Sequence, residues 1–242
     1  PAIVLPDADI PLAARAIIRS AIGMTGQACQ SLERIYCHES IAEPFTKELL
    51  AQLKVLSLTF TDDGAGDIAP LIFERQVETI QTQVDDALAR GATCLLGGEP
   101  VQAGGVWYPP TLLTNVNHDM LIMQEETFGP VIPVVIYGDV EEAVALANDS
   151  TFGLSAAVFS ADADAAKAVA ERLQVGAISI NDASLTGIVN DVEKNSFRFS
   201  GMGGSRMGPA GLTRFLRKRA LLVQTGEPAP VQLFSDTPQT ES

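Results

Sequence analysis

The chain has 242 residues, 46% of them hydrophobic, and its 16 basic and 30 acidic side chains give a formal net charge of −14. This length and apolar content are enough to bury the core of one large domain. A chain with this negative charge should repel nucleic acids and anionic membrane surfaces. No apolar run reaches the ~18 residues of a membrane-spanning helix. We therefore predict neither a nucleic-acid nor a membrane partner.

Short β-rich runs alternate with helical patterns along the chain. We predict strands at 2–5, 32–37, 93–96, 131–137, 156–159 and 177–180. Apolar residues at steps of three and four, together with capping signals, predict helices at 11–23, 41–54, 73–88, 139–147 and 162–173. Ser40 is the predicted N-cap of the second helix, and Asp139 with Glu142 resembles a capping box.

This alternation is typical of a mostly parallel sheet with helices on both faces, so the predicted fold is a three-layer αβα sandwich of the α/β class. Residues 59–70 are predicted to form a turn-rich loop, and residues 99–120 a long irregular connection. In such sheets the functional loops gather at the carboxyl ends of the strands.

The end of the chain departs from this pattern. Residues 1–219 are predicted to form one domain, and residues 220–242 a C-terminal extension. Within the extension, residues 220–224 (ALLVQ) have the composition of a strand that pairs outside the core. The tail from Gly226 is rich in Pro, Ser, Thr and Glu and is expected to be loose. The basic cluster within 214–219 is predicted to lie on a helix, as a solvated or ion-paired face.

The content of cysteine and histidine limits the chemistry. Cys29, Cys37 and Cys94 form neither a disulfide framework nor a C-x-x-C pair, which is typical of a reducing compartment, so we predict a cytoplasmic protein. Only two histidines are present, His38 and His118. This argues against a His-based metal site and against a Ser-His-Asp triad, and we predict no metal.

Two segments carry side chains suited to catalysis or binding. Cys29 ends the run Gly-Gln-Ala-Cys, in a turn between a helix and a strand, where a thiol can be exposed and its N–H can point at a substrate oxygen. By itself, the cysteine also fits the role of a small buried hydrophobic residue. Residues 124–130 (QEETFGP) set two adjacent carboxylates before a turn fixed by Gly-Pro, and an ordinary acidic loop is the alternative.

Two further segments are ambiguous. The glycine-rich residues 200–208 lack the Lys-Ser/Thr of a phosphate loop, which favours a tight turn into a helix starting near Pro209. Asn181 and Asp182 follow a predicted strand, where polar residues line a site or simply end the strand.

These segments occur together and in order, and in that arrangement the chain resembles the aldehyde dehydrogenase superfamily over nearly its whole length. The pairing of GQ-x-C with EE-x-FGPV in this order is specific. The matching stretches are PAIVLPDADI, GQACQSLERIYCHESI, VWYPPTLL, QEETFGPVIPV, NDSTFGLSAAVFS, VGAISIND and the region from SGMGGSRMG to GLTRFL.

The resemblance implies the catalytic domain of an NAD(P)-dependent aldehyde dehydrogenase, which oxidises an aldehyde to a carboxylic acid. Cys29 matches the family nucleophile, whose thiolate forms a thiohemiacetal and, after hydride transfer, a thioester that water hydrolyses. Its N–H matches one donor to the developing oxyanion. Glu126 matches the carboxylate that holds the nicotinamide ribose, and Phe128 matches the aromatic residue beside the nicotinamide. The family's substrate-pocket loop corresponds to a segment that includes Asn181, Asp182, Leu185 and Thr186.

The resemblance also implies that other parts of the family's site precede the segment matching Pro1. These are the dinucleotide-binding domain, the general-base glutamate and the asparagine of the oxyanion hole. We therefore expect a fragment that is inactive by itself, with NAD or NADP bound mainly by the absent domain. Because the family segment matching 220–224 joins an intersubunit sheet, a homodimer or tetramer of the full-length parent is expected.

Two other functions are open. A non-catalytic binding or scaffold fragment would keep the fold and the subunit interface, because the absent domain would leave apolar surface exposed. A cysteine esterase or acyl transferase would need a base beside Cys29, and His38 is predicted to follow a strand.

Overall fold

In the computed structural model the described residues are 1–59, 66–103, 105–202, 205 and 207–227. The strands are β1 (Ala2–Val4), β2 (Ile35–His38), β3 (Thr93–Leu96), β4 (Val101–Gln102), β5 (Val106–Trp107), β6 (Thr111–Thr114), β7 (Val131–Tyr137), β8 (Phe152–Gly153), β9 (Ser155–Phe159), β10 (Ala177–Ile180) and β11 (Phe197–Arg198). The α-helices are α1 (Ile10–Ile22), α2 (Ala42–Leu53), α3 (Gln76–Ala89), α4 (Leu121–Gln124), α5 (Val140–Asn148), α6 (Ala163–Ala170), α7 (Leu185–Ile188) and α8 (Ala210–Thr213).

Seven strands form one sheet in the order β10-β9-β1-β2-β7-β6-β3. Neighbouring strands from β10 to β6 are parallel, and β3 runs antiparallel to β6 at the edge. The central strands β1, β2 and β7 are almost entirely buried, which explains why they are nearly continuous apolar runs in the sequence.

Alternate side chains of the sheet feed two separate cores, because successive residues of a strand point to opposite faces. Ile3 and Val158 belong to the core that contains α3, α5 and α6. Val4 and Phe159 belong to the core that contains α1 and α2. The predicted three-layer αβα sandwich with a mostly parallel sheet is therefore confirmed. No helix within the described ranges is long and apolar enough to cross a membrane.

The prediction of an irregular connection over 99–120 is wrong where this segment forms strands. β4 and β5 pair with each other in a small antiparallel sheet. Thr111–Thr114 forms β6, which pairs with β7 inside the main sheet. Leu112 packs into one core and Leu113 into the other. A strand of four residues that is buried on both faces has no polar alternation, so its periodicity does not distinguish it from a loop.

Carboxylate caps set where two helices begin. The Asp9 carboxylate accepts an N–H from the first turn of α1. Asp139 caps α5 as predicted, but it accepts the N–H of Glu141 at 3.1 Å, and Glu142 bonds to the N–H of Gly138. In a capping box Asp139 would accept the N–H of Glu142, and Glu142 would accept the N–H of Asp139. Each of the two observed bonds instead uses the N–H of the preceding residue.

Ser40 is not the N-cap of α2, contrary to the prediction. A 3₁₀ turn, Glu39–Ile41, comes between β2 and α2, and Ser40 lies inside it. Its N–H donates to Nδ1 of His38 at 3.2 Å, so the imidazole caps this turn in place of the serine hydroxyl.

The predicted helix over 214–219 is wrong, because α8 ends at Thr213. Basic residues three and four apart, such as Arg214 with Arg217 and Lys218, repel one another along a helix. The strand predicted at 220–224 is also not found in the described part of this single chain, where these residues are exposed and have no neighbouring strand. Residues 228–242 of the predicted loose tail lie outside the described residues.

Candidate active site

Cys29 and Glu126 lie at the amino-terminal edge of the main sheet. Cys29 precedes β2 and Glu126 precedes β7, and these two strands are parallel neighbours. Both residues line one cavity of about 320 Å³. The expectation that the functional loops gather at the carboxyl ends does not hold for this cavity, because irregular segments with polar side chains enter β2 and β7 at the opposite edge.

Cys29 stands at the junction of two cavities. The larger cavity also contains Glu33, Glu125 and Glu126. A smaller one of about 120 Å³ is lined by Cys29 and, among others, by Thr186. The same thiol therefore borders one space that carries carboxylates and another that includes a residue of the predicted substrate loop.

The turn that presents Cys29 follows three consecutive residues with left-handed backbone. Met24, Thr25 and Gly26 have φ values of 54°, 57° and 71°. Such angles are costly for residues other than glycine and persist only where the surroundings impose them. Here the buried Thr25 hydroxyl donates to the carbonyl of Ala69 at 3.0 Å and ties this stretch to the segment before α3.

The Gly and Gln of the Gly-Gln-x-Cys motif have structural roles. A Cβ at Gly26 would lie 2.2 Å from the carbonyl oxygen of Gly129, so the two backbones are in direct contact. Oε1 of Gln27 accepts the N–H of Ile72 at 2.9 Å. The motif thus locks the turn that carries Cys29 onto two neighbouring segments.

Cys29 differs from the other two thiols in its surroundings. It is exposed, whereas Cys37 is buried and Cys94 is partly buried. Burial raises the pKa of Cys37 to about 12. Burial also raises the pKa of Cys94, and a backbone hydrogen bond with Leu96 opposes that shift only in part. Cys29 is therefore the thiol that a reagent or substrate reaches.

Glu33 is a functional candidate that the sequence did not reveal. Its carboxylate accepts the backbone N–H groups of Thr127 and Phe128, and it lines the larger cavity. Burial raises the pKa of Glu33, the charge of Glu126 adds to the rise, and the two N–H donors oppose it. A lone acidic residue at the entrance of the apolar strand β2 is the only signal that the sequence offers.

The predicted cofactor residues differ in position. Glu126 is exposed and lines the larger cavity. Phe128 is partly buried, has a left-handed φ of 45°, and is not among the residues that line either cavity.

Of the predicted substrate residues, only Thr186 lines a cavity together with Cys29. The Asn181 amide bonds to both the N–H and the carbonyl of Ser160 at 3.0 and 2.8 Å, which extends the pairing of β9 with β10. Asp182 accepts the N–H groups of Ser184 and Leu185. These contacts lie at the carboxyl edge of the sheet, away from both cavities.

The Asp182 carboxylate also forms an ion pair of 2.5 Å with Arg19 on α1. Partial burial opposes ionisation, but the N–H donors and Arg19 together lower the pKa of Asp182. The Leu185 side chain is 40% exposed and lines neither cavity. In the parts of the chain with described coordinates, no cluster of three or more His, Cys, Asp or Glu side chains is arranged to hold a metal ion.

The fold is that of an α/β protein with an exposed cysteine between two cavities at the amino edge of its sheet. Residues 1–221 match the aldehyde dehydrogenase family. The chain therefore belongs to the aldehyde dehydrogenase family, and the family expected from the sequence motifs is confirmed.

Curated relatives include two enzymes of Escherichia coli K12. The chain is 40% identical over 181 residues to succinate semialdehyde dehydrogenase [NAD(P)+] Sad, covering 75% of this chain and 39% of that enzyme. It is 35% identical over 227 residues to lactaldehyde dehydrogenase, covering 93% of this chain and 47% of that enzyme. The chain thus spans less than half the length of these two relatives.

Solved structures agree with the fold. The protein described as aldehyde dehydrogenase PutA from Anabaena variabilis superposes with a TM-score of 0.90 at 50% identity, over 96% of this chain and 50% of that one. Lactaldehyde dehydrogenase from Escherichia coli superposes with a TM-score of 0.87 at 34% identity, over 93% of this chain and 47% of that one.

We predict that iodoacetamide alkylates Cys29 well before Cys37 and Cys94. Cys29 is exposed, whereas burial raises the pKa of the other two thiols and so lowers their thiolate fractions near neutral pH. Peptide mass spectrometry over a time course measures the three rates, with a Cys29→Ser variant as the control. Faster labelling of Cys94 in the folded protein would contradict the assignment.

We predict that Gly26→Ala destabilises the protein by about 1–3 kcal/mol more than Gly91→Ala, because the new methyl group overlaps the Gly129 carbonyl. Gly91 is the matched control: its φ is also positive, at 100°, but a Cβ there meets no atom within 4 Å. Chemical denaturation measures both free energies of unfolding. Equal losses would mean that the contact between Gly26 and Gly129 is not tight.

Proposed function

We propose that the chain is the catalytic domain of an NAD(P)-dependent aldehyde dehydrogenase, which oxidises an aldehyde to a carboxylic acid with Cys29 as the nucleophile. The observation that carries this proposal is the exposed thiol at the junction of two cavities, with Glu126 on one side and Thr186 on the other. Membership of the family supports the same reaction.

In the proposed reaction the Cys29 thiolate attacks the aldehyde carbon, and the carbonyl oxygen becomes an alkoxide. The N–H of Cys29 is a suitable donor to that oxygen. The nicotinamide cofactor, when bound, accepts the hydride that leaves the former aldehyde carbon. The acyl group then remains on Cys29 as a thioester, and attack by water releases the acid and restores the thiol.

The larger cavity suits the nicotinamide end of the cofactor better than its phosphates. Glu125 and Glu126 are acceptors for ribose hydroxyl groups, and their charge favours the cationic oxidised ring. The same carboxylates repel phosphate. We therefore propose that the pyrophosphate of NAD or NADP is held mainly by a dinucleotide-binding domain outside this chain, and that this chain by itself oxidises aldehydes poorly.

The smaller cavity is the proposed aldehyde side of Cys29. Its volume of about 120 Å³ favours a small aldehyde, and its lining combines polar residues such as Thr186 and Asn195 with the apolar Leu154 and Met207. The names of two relatives, a succinate semialdehyde dehydrogenase and a lactaldehyde dehydrogenase, are consistent with such a substrate.

The full-length parent is proposed to act as a homodimer or tetramer in a reducing cytoplasm. Leu212, Phe215, Leu221 and Leu222 are each more than 70% exposed in this single chain, which favours association. The reducing compartment keeps the exposed Cys29 reduced, as the reaction requires.

We predict that Cys29→Ala lowers aldehyde-dependent reduction of NAD or NADP by at least about a thousandfold in the full-length protein that contains this chain, because the nucleophile is lost. Absorbance of the reduced nicotinamide gives the rate, and Cys94→Ala is the control that should keep its turnover. Turnover retained in Cys29→Ala would reject the proposal. A wild-type protein that assembles into oligomers but never reduces either nucleotide would favour the scaffold function instead.

A further inference from the structure

We infer that Glu33 and Gln83 are positioning residues, which hold the backbone of residues 126–128 from two different segments and so fix the direction of the Glu126 side chain. The inference rests on the proposed function, in which Glu126 holds the nicotinamide ribose.

Glu33 holds this loop from the side of β2. A single oxygen, Oε1, accepts the N–H of Thr127 at 3.1 Å and the N–H of Phe128 at 2.8 Å. Hydrogen bonds to a carboxylate are stronger than bonds between neutral groups, so two consecutive peptide groups are held at one point.

Gln83 holds the loop from the side of α3. Its Nε2 donates to the carbonyl of Glu126 at 3.1 Å, and its Oε1 accepts from the Thr127 hydroxyl at 2.7 Å. Gln76, the first residue of α3, donates to the carbonyl of Thr127 at 2.7 Å. The backbone polar groups from the Glu126 carbonyl to the Phe128 N–H therefore all bond to side chains of α3 or of the segment before β2.

Packing alone does not explain why the contact between Gln83 and residues 126–127 is polar. Gln83 and Thr127 are each 1% exposed, at positions where apolar side chains would fill the same space without the cost of burying polar groups. Their hydrogen bonds instead serve the loop. Phe128 keeps a φ of 45°, which a phenylalanine adopts only where its surroundings impose it.

The Glu126 side chain is the part of the loop that this arrangement leaves free to bind. It is exposed and lines the larger cavity, so its direction follows from the backbone behind it. A side chain that is already held in its binding direction loses less conformational entropy when the ligand binds. A displacement of about 1 Å in a positioning element weakens both binding and rate.

The test compares variants of the full-length protein. Glu33→Leu removes the acceptor, whereas Glu33→Gln keeps a carbonyl oxygen at Oε1. Gln83→Glu keeps the shape of Gln83 but loses the N–H that donates to Glu126. Gln81→Leu is the matched control on α3, because Gln81 bonds to Tyr108 and not to the loop.

The readouts are the Kd of NAD and of NADP without aldehyde, measured by calorimetry, the alkylation rate of Cys29, the split between KM and kcat, and the melting temperature. We expect Glu33→Leu and Gln83→Glu to weaken nucleotide binding by roughly tenfold or more, with the KM for the nucleotide rising accordingly. Alkylation of Cys29 should stay within about twofold of wild type. Glu33→Gln should restore most of the affinity, and Gln81→Leu should lower only the melting temperature.

The inference is overturned if Glu33→Leu and Gln83→Glu melt at lower temperature but bind nucleotide as wild type does, because that outcome describes a purely structural role. Equal losses in Glu33→Gln and Glu33→Leu would also overturn it. If Glu33→Leu does not fold, Gln83→Glu decides: weakened nucleotide binding supports the inference, and wild-type affinity overturns it. A wild-type protein that binds neither nucleotide would instead refute the proposed function, so the two failures are distinguishable.

Discussion

The direct contact between the backbone of Gly26 and the carbonyl of Gly129 is the constraint on which the site depends. The two glycines belong to different motifs, one leading to Cys29 and the other following Glu126. Any side chain at residue 26 would force these motifs apart, since its Cβ would lie 2.2 Å from the Gly129 oxygen. Left-handed backbone at Met24 and Thr25 brings the chain to this contact, and Gln27 holds it there.

The sheet supplies the larger frame for that contact. Because β2 and β7 are parallel neighbours, the segments that enter them meet at the same edge, and the thiol and the carboxylates come to line one cavity. Two cores, one on each face, fix both strands, and the segments that enter the strands carry the side chains that line the cavity. The hydrogen bonds of Glu33 and Gln83 then determine how one of those segments is presented.

Much of the fold follows from local patterns in the sequence, and less of the site does. The apolar run of β7 and the periodic helix α3 each carry their own signal, so their presence could be predicted. The edge at which Cys29 lies could not be, because it depends on which strands pair. Asn181 illustrates the difference: the general rule about carboxyl ends favours it as a site residue, whereas its amide bonds to the backbone of Ser160. Glu33 was missed because its partners, the N–H groups of Thr127 and Phe128, are distant in sequence.

Acid-quenched mass spectrometry of the full-length protein tests most directly whether Cys29 carries the reaction. The protein is mixed with an aldehyde and either NAD or NADP, quenched during turnover, and digested. We expect the peptide containing Cys29 to gain the mass of the aldehyde less two hydrogen atoms, as a thioester requires, and only when the nucleotide is present. An acyl group found on Cys37 or Cys94 instead, or sustained turnover after complete alkylation of Cys29, would contradict it.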